Sequence, residues 1–176
     1  VLENDAHCPA AHLCHHFTLG NIQDFDSVYN FGKQLDALTI EIEAVNVEAL
    51  EKLEQEGVKV YPTPAAIRII KNKILQKQFY QNNEIPTSEF HITQHQSDLL
   101  AHISFLPAVH KLGEGGYDGK GVQVINTEKE IELGFNAPAV LEKKVAIAKE
   151  IALIVGMNAK GETIIYPPAE MIFDPV

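Results

Sequence analysis

The chain has 176 residues, 45% of them hydrophobic, and a net charge of −10. That is enough apolar material for a proper core, in one domain or two small ones. The acidic balance argues against a nucleic-acid groove, which needs a basic face, and no apolar run approaches the length of a membrane span.

The charge is uneven. Residues 1–60 carry eleven acidic and three basic side chains, and the remainder carries thirteen and eleven. The nearly balanced part suits a phosphate-bearing ligand better. Cys8 and Cys14 are too few for a disulfide framework. The sequence opens at Val1, so the natural start is expected upstream. A cytoplasmic setting is the simplest expectation.

In chain order, Val1–Leu2 reads as the end of a strand and residues 15–19 as a short one. Phe25, Val28, Phe31 and Leu35 share one side of a helix over 24–35. Residues 37–42 alternate and are β-branched, which predicts a strand. Val47 to Glu56 reads as a helix stopped by Gly57. Residues 58–61 read as a strand closed by Pro62. Strands alternating with helices predict a parallel α/β arrangement. His7, Cys8, His12, Cys14, His15 and His16 lack the paired spacing of a zinc site and read as a solvated loop. Thr39, Glu41 and Glu43 fall on one face if the strand continues. That face is either a solvent edge or the border of a ligand crevice at the strand's carboxyl end.

Residues 64–82 predict helix with a break near Lys71–Asn72. Lys73 and Lys77 lie one turn apart, the pattern of two solvated lysines. Residues 83–87 turn into a second unit. A helix over 98–104, a strand ending at Lys111 and a strand from Gly121 follow, then a short helix near 128–133. Residues from Val145 to Val155 suit one long strand. Met157 to Gly161 is a turn, and residues 162–167 pair back. Glu142 and Glu150, by pattern alone, are surface charges.

Between the strands lies LGEGGYDGKG, with five glycines in nine residues. Glycine permits positive φ and close backbone approach to a ligand, and successive N–H groups can form an anion-binding nest. Lys111 before the loop and Lys120 inside it suit phosphate. The alternative is a long glycine hairpin. A P-loop fails, because Glu114 and Gly121 occupy its required positions. A kinase loop fails at Asp118. A dinucleotide fingerprint fails because a strand, not a helix, follows.

GGYDGKG (Gly115–Gly121) resembles the glycine-rich flap of ATP-grasp enzymes. It is most similar to that of the 5-(carboxyamino)imidazole ribonucleotide synthases of purine biosynthesis. TIEIEAV (Thr39–Val45) resembles that family's TFEFENV, with Ala44 in place of asparagine. Residues 60–79, 83–87 and 164–170 also have counterparts, so the resemblance covers nearly the whole chain. It implies an α/β (α+β) fold. Residues 1–62 would be the remainder of a Rossmann-like pre-ATP-grasp domain, without its opening strand and glycine-rich turn. Residues 63–176 would be an ATP-grasp domain, with the lid at about 86–142 and part of the base.

The resemblance also implies roles. ATP would be held by Lys73, Lys111, Gly115, Gly116, Tyr117, Asp118, Gly119, Lys120, Gly121, Glu142, Lys143, Lys144, Val145 and Glu150. Glu142 and Val145 would lie at adenine and Glu150 at the ribose hydroxyls. Tyr117, Asp118 and Lys120 would face the acceptor and bicarbonate as catalytic residues. Glu41 or Glu43 would face 5-aminoimidazole ribonucleotide. Phe173 stands where many members have a histidine. The family's magnesium ligands lie beyond Val176, so none is expected here. The chain reads as an internal fragment, inactive alone, of a homodimeric ATP-dependent carboxylase. Two alternatives stand beside this reading: another ATP-grasp carboxylase or ligase, and a nucleotide-binding fragment without turnover.

Overall fold

The structure is a computed structural model and describes residues 1–116 and 120–172. Tyr117, Asp118, Gly119 and Phe173, all singled out by sequence, lie outside the described residues. The chain divides into two units, residues 1–143 and 144–176.

The first unit begins with β1 (Leu2–Glu3) and β2 (Thr18–Leu19), paired in parallel. α1 (Phe25–Gly32) starts at Asp24, whose carboxylate accepts the Ser27 N–H at 2.8 Å. This is ordinary N-capping, which satisfies one orphan donor of the first turn. β3 (Ala37–Thr39) and β4 (Lys59–Tyr61) are parallel, joined through α2 (Val47–Gln55). Asn46 caps α2 by accepting the Ala49 N–H. Val47, Ala49, Leu50 and Leu53 of α2 are buried with Val28, Val60 and Ile67 in one apolar cluster. Gly57 ends the connection at φ +95°, a conformation that glycine adopts without strain.

β3 is shorter than the sequence suggests. After Thr39 one more bond forms, from Ile40 N–H to Tyr61 O. The next residue on the partner side is Pro62, which has no N–H to extend the ladder. Glu41 and Glu43 therefore lie in a bend and a turn beyond the strand's carboxyl end, not on one face of it.

α3 (Pro64–Lys71) and α4 (Lys73–Asn82) are separated at Asn72, where the sequence predicts the break. Asn72 has extended backbone and caps α4, accepting N–H bonds from Ile74 and Leu75 at 2.9 and 3.1 Å. A four-stranded antiparallel sheet follows. It contains β5 (Phe90–Thr93), β6 (Ala108–Leu112), β7 (Val122–Ile125) and β8 (Ala139–Lys143), in the order β5-β8-β6-β7. Two 3₁₀ segments, Gln96–Phe105 and Glu128–Leu133, replace the short helices expected there. Leu99, Ala108, Ile125, Ile131 and Leu141 form a second buried cluster between them and one sheet face.

That cluster encloses His110. Its Nδ1 accepts the Phe135 N–H at 3.2 Å, so the ring proton sits on Nε2, 2.9 Å from Thr93 Oγ1. The ring is neutral and satisfied, and burial lowers its pKa. A proton added to Nδ1 would meet another donor. The stability gained by keeping His110 neutral is complete above its unfolded pKa of about 6.5. It is lost as pH falls from there towards the lowered folded value. We expect the His110 ring signal in NMR to stay in the neutral form as pH falls below about 6.5. Protonation of the ring at or above that pH would contradict the burial argument.

The second unit holds two small antiparallel pairs. β9 (Glu150–Ala152) pairs with β12 (Ala169–Met171), and β10 (Val155–Met157) pairs with β11 (Thr163–Ile165). The single long strand expected from Val145 is thus two short strands that change partner at Leu153–Ile154. The tie between Lys149 and Glu170, at 2.9 Å, is exposed and adds little.

Candidate functional site

The glycine loop leaves β6 and returns into β7 through a narrow neck. Gly115 and Gly121 have φ of +79° and +82°. A Cβ on Gly121 would lie 2.8 Å from the Gly116 Cα, and one on Gly116 would lie 2.6 Å from the Lys120 carbonyl oxygen. Only glycines allow the two limbs to approach this closely. The Leu112 N–H closes the neck on Gly121 O at 2.9 Å.

The start of the loop is tied to α4. Lys73 N–H donates to Gly113 O at 2.8 Å, and Gly113 N–H donates to Pro138 O at 2.9 Å. Asn72 Nδ2 reaches Glu114 Oε1 at 2.8 Å. One asparagine thus caps the helix and grips the loop. Lys73, at the first turn of α4, has its backbone beside the loop, and its ammonium has no partner among the described residues.

Lys111 and Glu142 come together on one face of the sheet. Register sets Glu142 opposite Val109, two residues before Lys111, so alternation puts both side chains on that face. Lys111 Nζ lies 3.2 Å from Glu142 Oε1. The other carboxylate oxygen, Oε2, takes the Ser88 hydroxyl at 3.0 Å and Lys77 Nζ at 3.2 Å. Glu142 is thus flanked by two ammonium groups, while only 13% of its side chain is exposed. Burial pushes its pKa up, but the charges of Lys111 and Lys77, with the Ser88 hydroxyl, outweigh that and hold it below the usual value.

Lys77 is the residue that sequence reasoning left out. Its side chain is only 8% exposed, not solvated as its spacing from Lys73 suggests. It donates to Thr87 Oγ1 at 2.6 Å and Ser88 Oγ at 3.0 Å, and lies 5.6 Å from the centre of the Phe90 ring. The signal that could have found it is Glu142 itself. A carboxylate closing the buried run Ala139–Leu141 needs cationic partners.

The remaining candidates are placed as follows. Lys120 is exposed at the neck. Lys143 points its ammonium to the opposite sheet face, bonding Phe105 O at 2.8 Å. Glu41 and Glu43 lie in the loop after β3. Lys144, Val145 and Glu150 belong to the second unit and are exposed, with Glu150 opening β9. Among the described residues, no group of three or more His, Cys, Asp or Glu side chains could hold a metal ion. None of the helices there is long and apolar enough to cross a membrane.

Two small parallel strand pairs and helices, then a four-stranded antiparallel sheet with a glycine neck and a facing lysine, define the class. The chain belongs to the ATP-grasp family: the sequence model of the ATP-grasp domain matches residues 78–174. A second model, the ribonucleotide synthetase preATP-grasp domain, matches residues 1–71. Among individual proteins, the chain is 33% identical to the chloroplastic phosphoribosylaminoimidazole carboxylase of Vigna aconitifolia. That alignment covers 97% of this chain and 32% of the relative. The Staphylococcus aureus N5-carboxyaminoimidazole synthetase complexed with ADP superposes with a TM-score of 0.89 at 26% identity, over 98% of this chain and 48% of that one. The Aspergillus clavatus N5-carboxyaminoimidazole synthase, in complex with ADP and 5-aminoimidazole ribonucleotide, gives 0.82 at 26%, over 98% and 46%. The chain therefore spans from 32% to 48% of the length of these proteins.

Proposed function

We propose that the chain is the nucleotide-lid portion of an enzyme that carboxylates 5-aminoimidazole ribonucleotide at the expense of ATP. In this reaction ATP phosphorylates bicarbonate to carboxyphosphate. The amino nitrogen of the ribonucleotide then takes the carboxyl group and loses a proton, and ADP and phosphate leave. The observation that carries the reading is Lys111, held on the lid face next to the glycine neck. Phosphoryl transfer depends on positioning and charge neutralisation more than on covalent chemistry. Lys111, Lys73 and the loop N–H groups supply both. The similarity to synthases complexed with ADP, and in one case with 5-aminoimidazole ribonucleotide, supports the choice of ligands.

In this reading residues 1–62 are the remainder of the Rossmann-like pre-ATP-grasp domain, with Glu41 or Glu43 towards the substrate. Residues 63–176 belong to the ATP-grasp domain, with the lid at about 86–142. Tyr117, Asp118 and Lys120 face the acceptor and bicarbonate. The backbone of residues 142–145 reads adenine and Glu150 the ribose. In the same reading magnesium is held by residues outside this chain. A homodimer in the cytoplasm belongs to the same reading.

The test is acceptor choice in the intact protein. ADP release should depend on 5-aminoimidazole ribonucleotide together with bicarbonate. Stimulation by formate with a different ribonucleotide, or by biotin, would assign another ATP-grasp reaction.

A further inference from the structure

Lys77 has no part in the nucleotide reading, yet it is the most buried lysine among the described residues. Its ammonium donates to Thr87 and Ser88 and pairs with Glu142 at 3.2 Å. Glu142 in turn is saturated, with Oε2 held by Lys77 and Ser88 and Oε1 by Lys111. The two lysines are unequal. Lys77 is 8% exposed and comes from α4, whereas Lys111 is 30% exposed and comes from β6, two residues before the loop. Among the described residues, Lys111's ammonium has Glu142 as its single partner.

This inequality matters because Lys111 has two claims on it. In the structure it neutralises a largely buried carboxylate. Turned towards a phosphate, it would leave that carboxylate behind, and an unpaired buried charge is strongly disfavoured. Lys77 and Ser88 hold Oε2, the oxygen that Lys111 does not touch. We infer that Lys77 is a positioning residue, the resident counter-cation of Glu142 that frees Lys111 to meet a nucleotide phosphate.

The inference rests on the nucleotide reading and makes Lys77 a determinant of phosphate affinity without phosphate contact. Removing its charge should lock Lys111 onto Glu142. Neutralising Glu142 should abolish the need for Lys77. The effect of Lys77 on nucleotide affinity should therefore exist only while Glu142 carries its charge.

The experiment is a double-mutant cycle on the 176-residue chain, read as the Kd for ATP from NMR titration. Lys77→Met should weaken binding about tenfold, whereas the same change in an E142Q background should alter it by less than about twofold. Lys77→Arg, which keeps the charge, should bind within a few-fold of the wild type. If Lys77→Met does not fold, Lys77→Gln carries the same comparison, because its amide can still bond Thr87 and Ser88. Equal weakening in both backgrounds would make Lys77 a packing residue and overturn the inference. So would unchanged affinity in Lys77→Met. A wild-type chain that binds no ATP is a different failure, since it removes the nucleotide reading itself and the exchange with it.

Discussion

Replacing Lys111 with methionine is expected to weaken ATP binding about a hundredfold in the intact protein and nearly to abolish turnover. Methionine keeps the length and apolar stem of the side chain, so the strand packing of β6 is retained. What disappears is the ammonium that pairs with Glu142 on the sheet face beside the glycine neck. Removing one charged group from a phosphate in a partly desolvated site costs a few kcal/mol, which corresponds to a factor of about a hundred or more. Glu142 keeps Lys77 and Ser88 after the change, so the fold should hold. Steady-state constants for ATP that match the wild type would remove Lys111 from the site.

Replacing Glu142 with alanine should have the largest effect on stability. The change leaves Lys77 almost buried, with two hydroxyls and an aromatic ring but no carboxylate. Breaking a buried pair by removing one partner typically costs about 3–5 kcal/mol. The lower end applies here, because Lys77 retains Thr87 and Ser88 and Lys111 can turn to water. For a chain of this size, a loss of about 3 kcal/mol lowers Tm by on the order of 10 °C. Calorimetry of the variant reads this directly, and a shift under about 2 °C would show that the cluster contributes little. The same carboxylate predicts an acid limb. Its folded pKa is lowered, so its stabilisation is complete above the unfolded value of about 4.3. It fades as pH falls through the lower folded value.

Much of this was legible in the sequence where the signal is local. The break at Asn72, the strand ending near Lys111, the strand after Gly121 and the glycine turn each follow from neighbouring residues. What was not legible depends on partners far along the chain. Lys77 has the helical spacing of a solvated lysine, and only the register of β8 brings Glu142 onto it. No strand is predicted over residues 139–143, yet Ala139, Val140 and Leu141 are fully buried in the second-placed strand of the four-stranded sheet. β5 went unnoticed because four residues after a proline-containing turn carry little pattern. The apolar run after Val145 correctly predicted extended chain, but alternation does not specify pairing, and the partner changes at Leu153–Ile154. Glu41 and Glu43 left the strand because Pro62 withholds a donor on the neighbouring one.

The most direct test of the central claim is a titration of the isotope-labelled 176-residue chain with ATP, followed by NMR. Saturable shifts are predicted for the amides of Gly113, Gly115, Gly116 and Gly121 and for the Lys111 side-chain ammonium. Residues of the apolar cluster around Leu50 and Leu53 should stay unmoved. Shifts confined to the N-terminal histidines and the exposed surface, with the glycine neck and Lys111 unaffected at millimolar ATP, would contradict the assignment of this loop as the phosphate site.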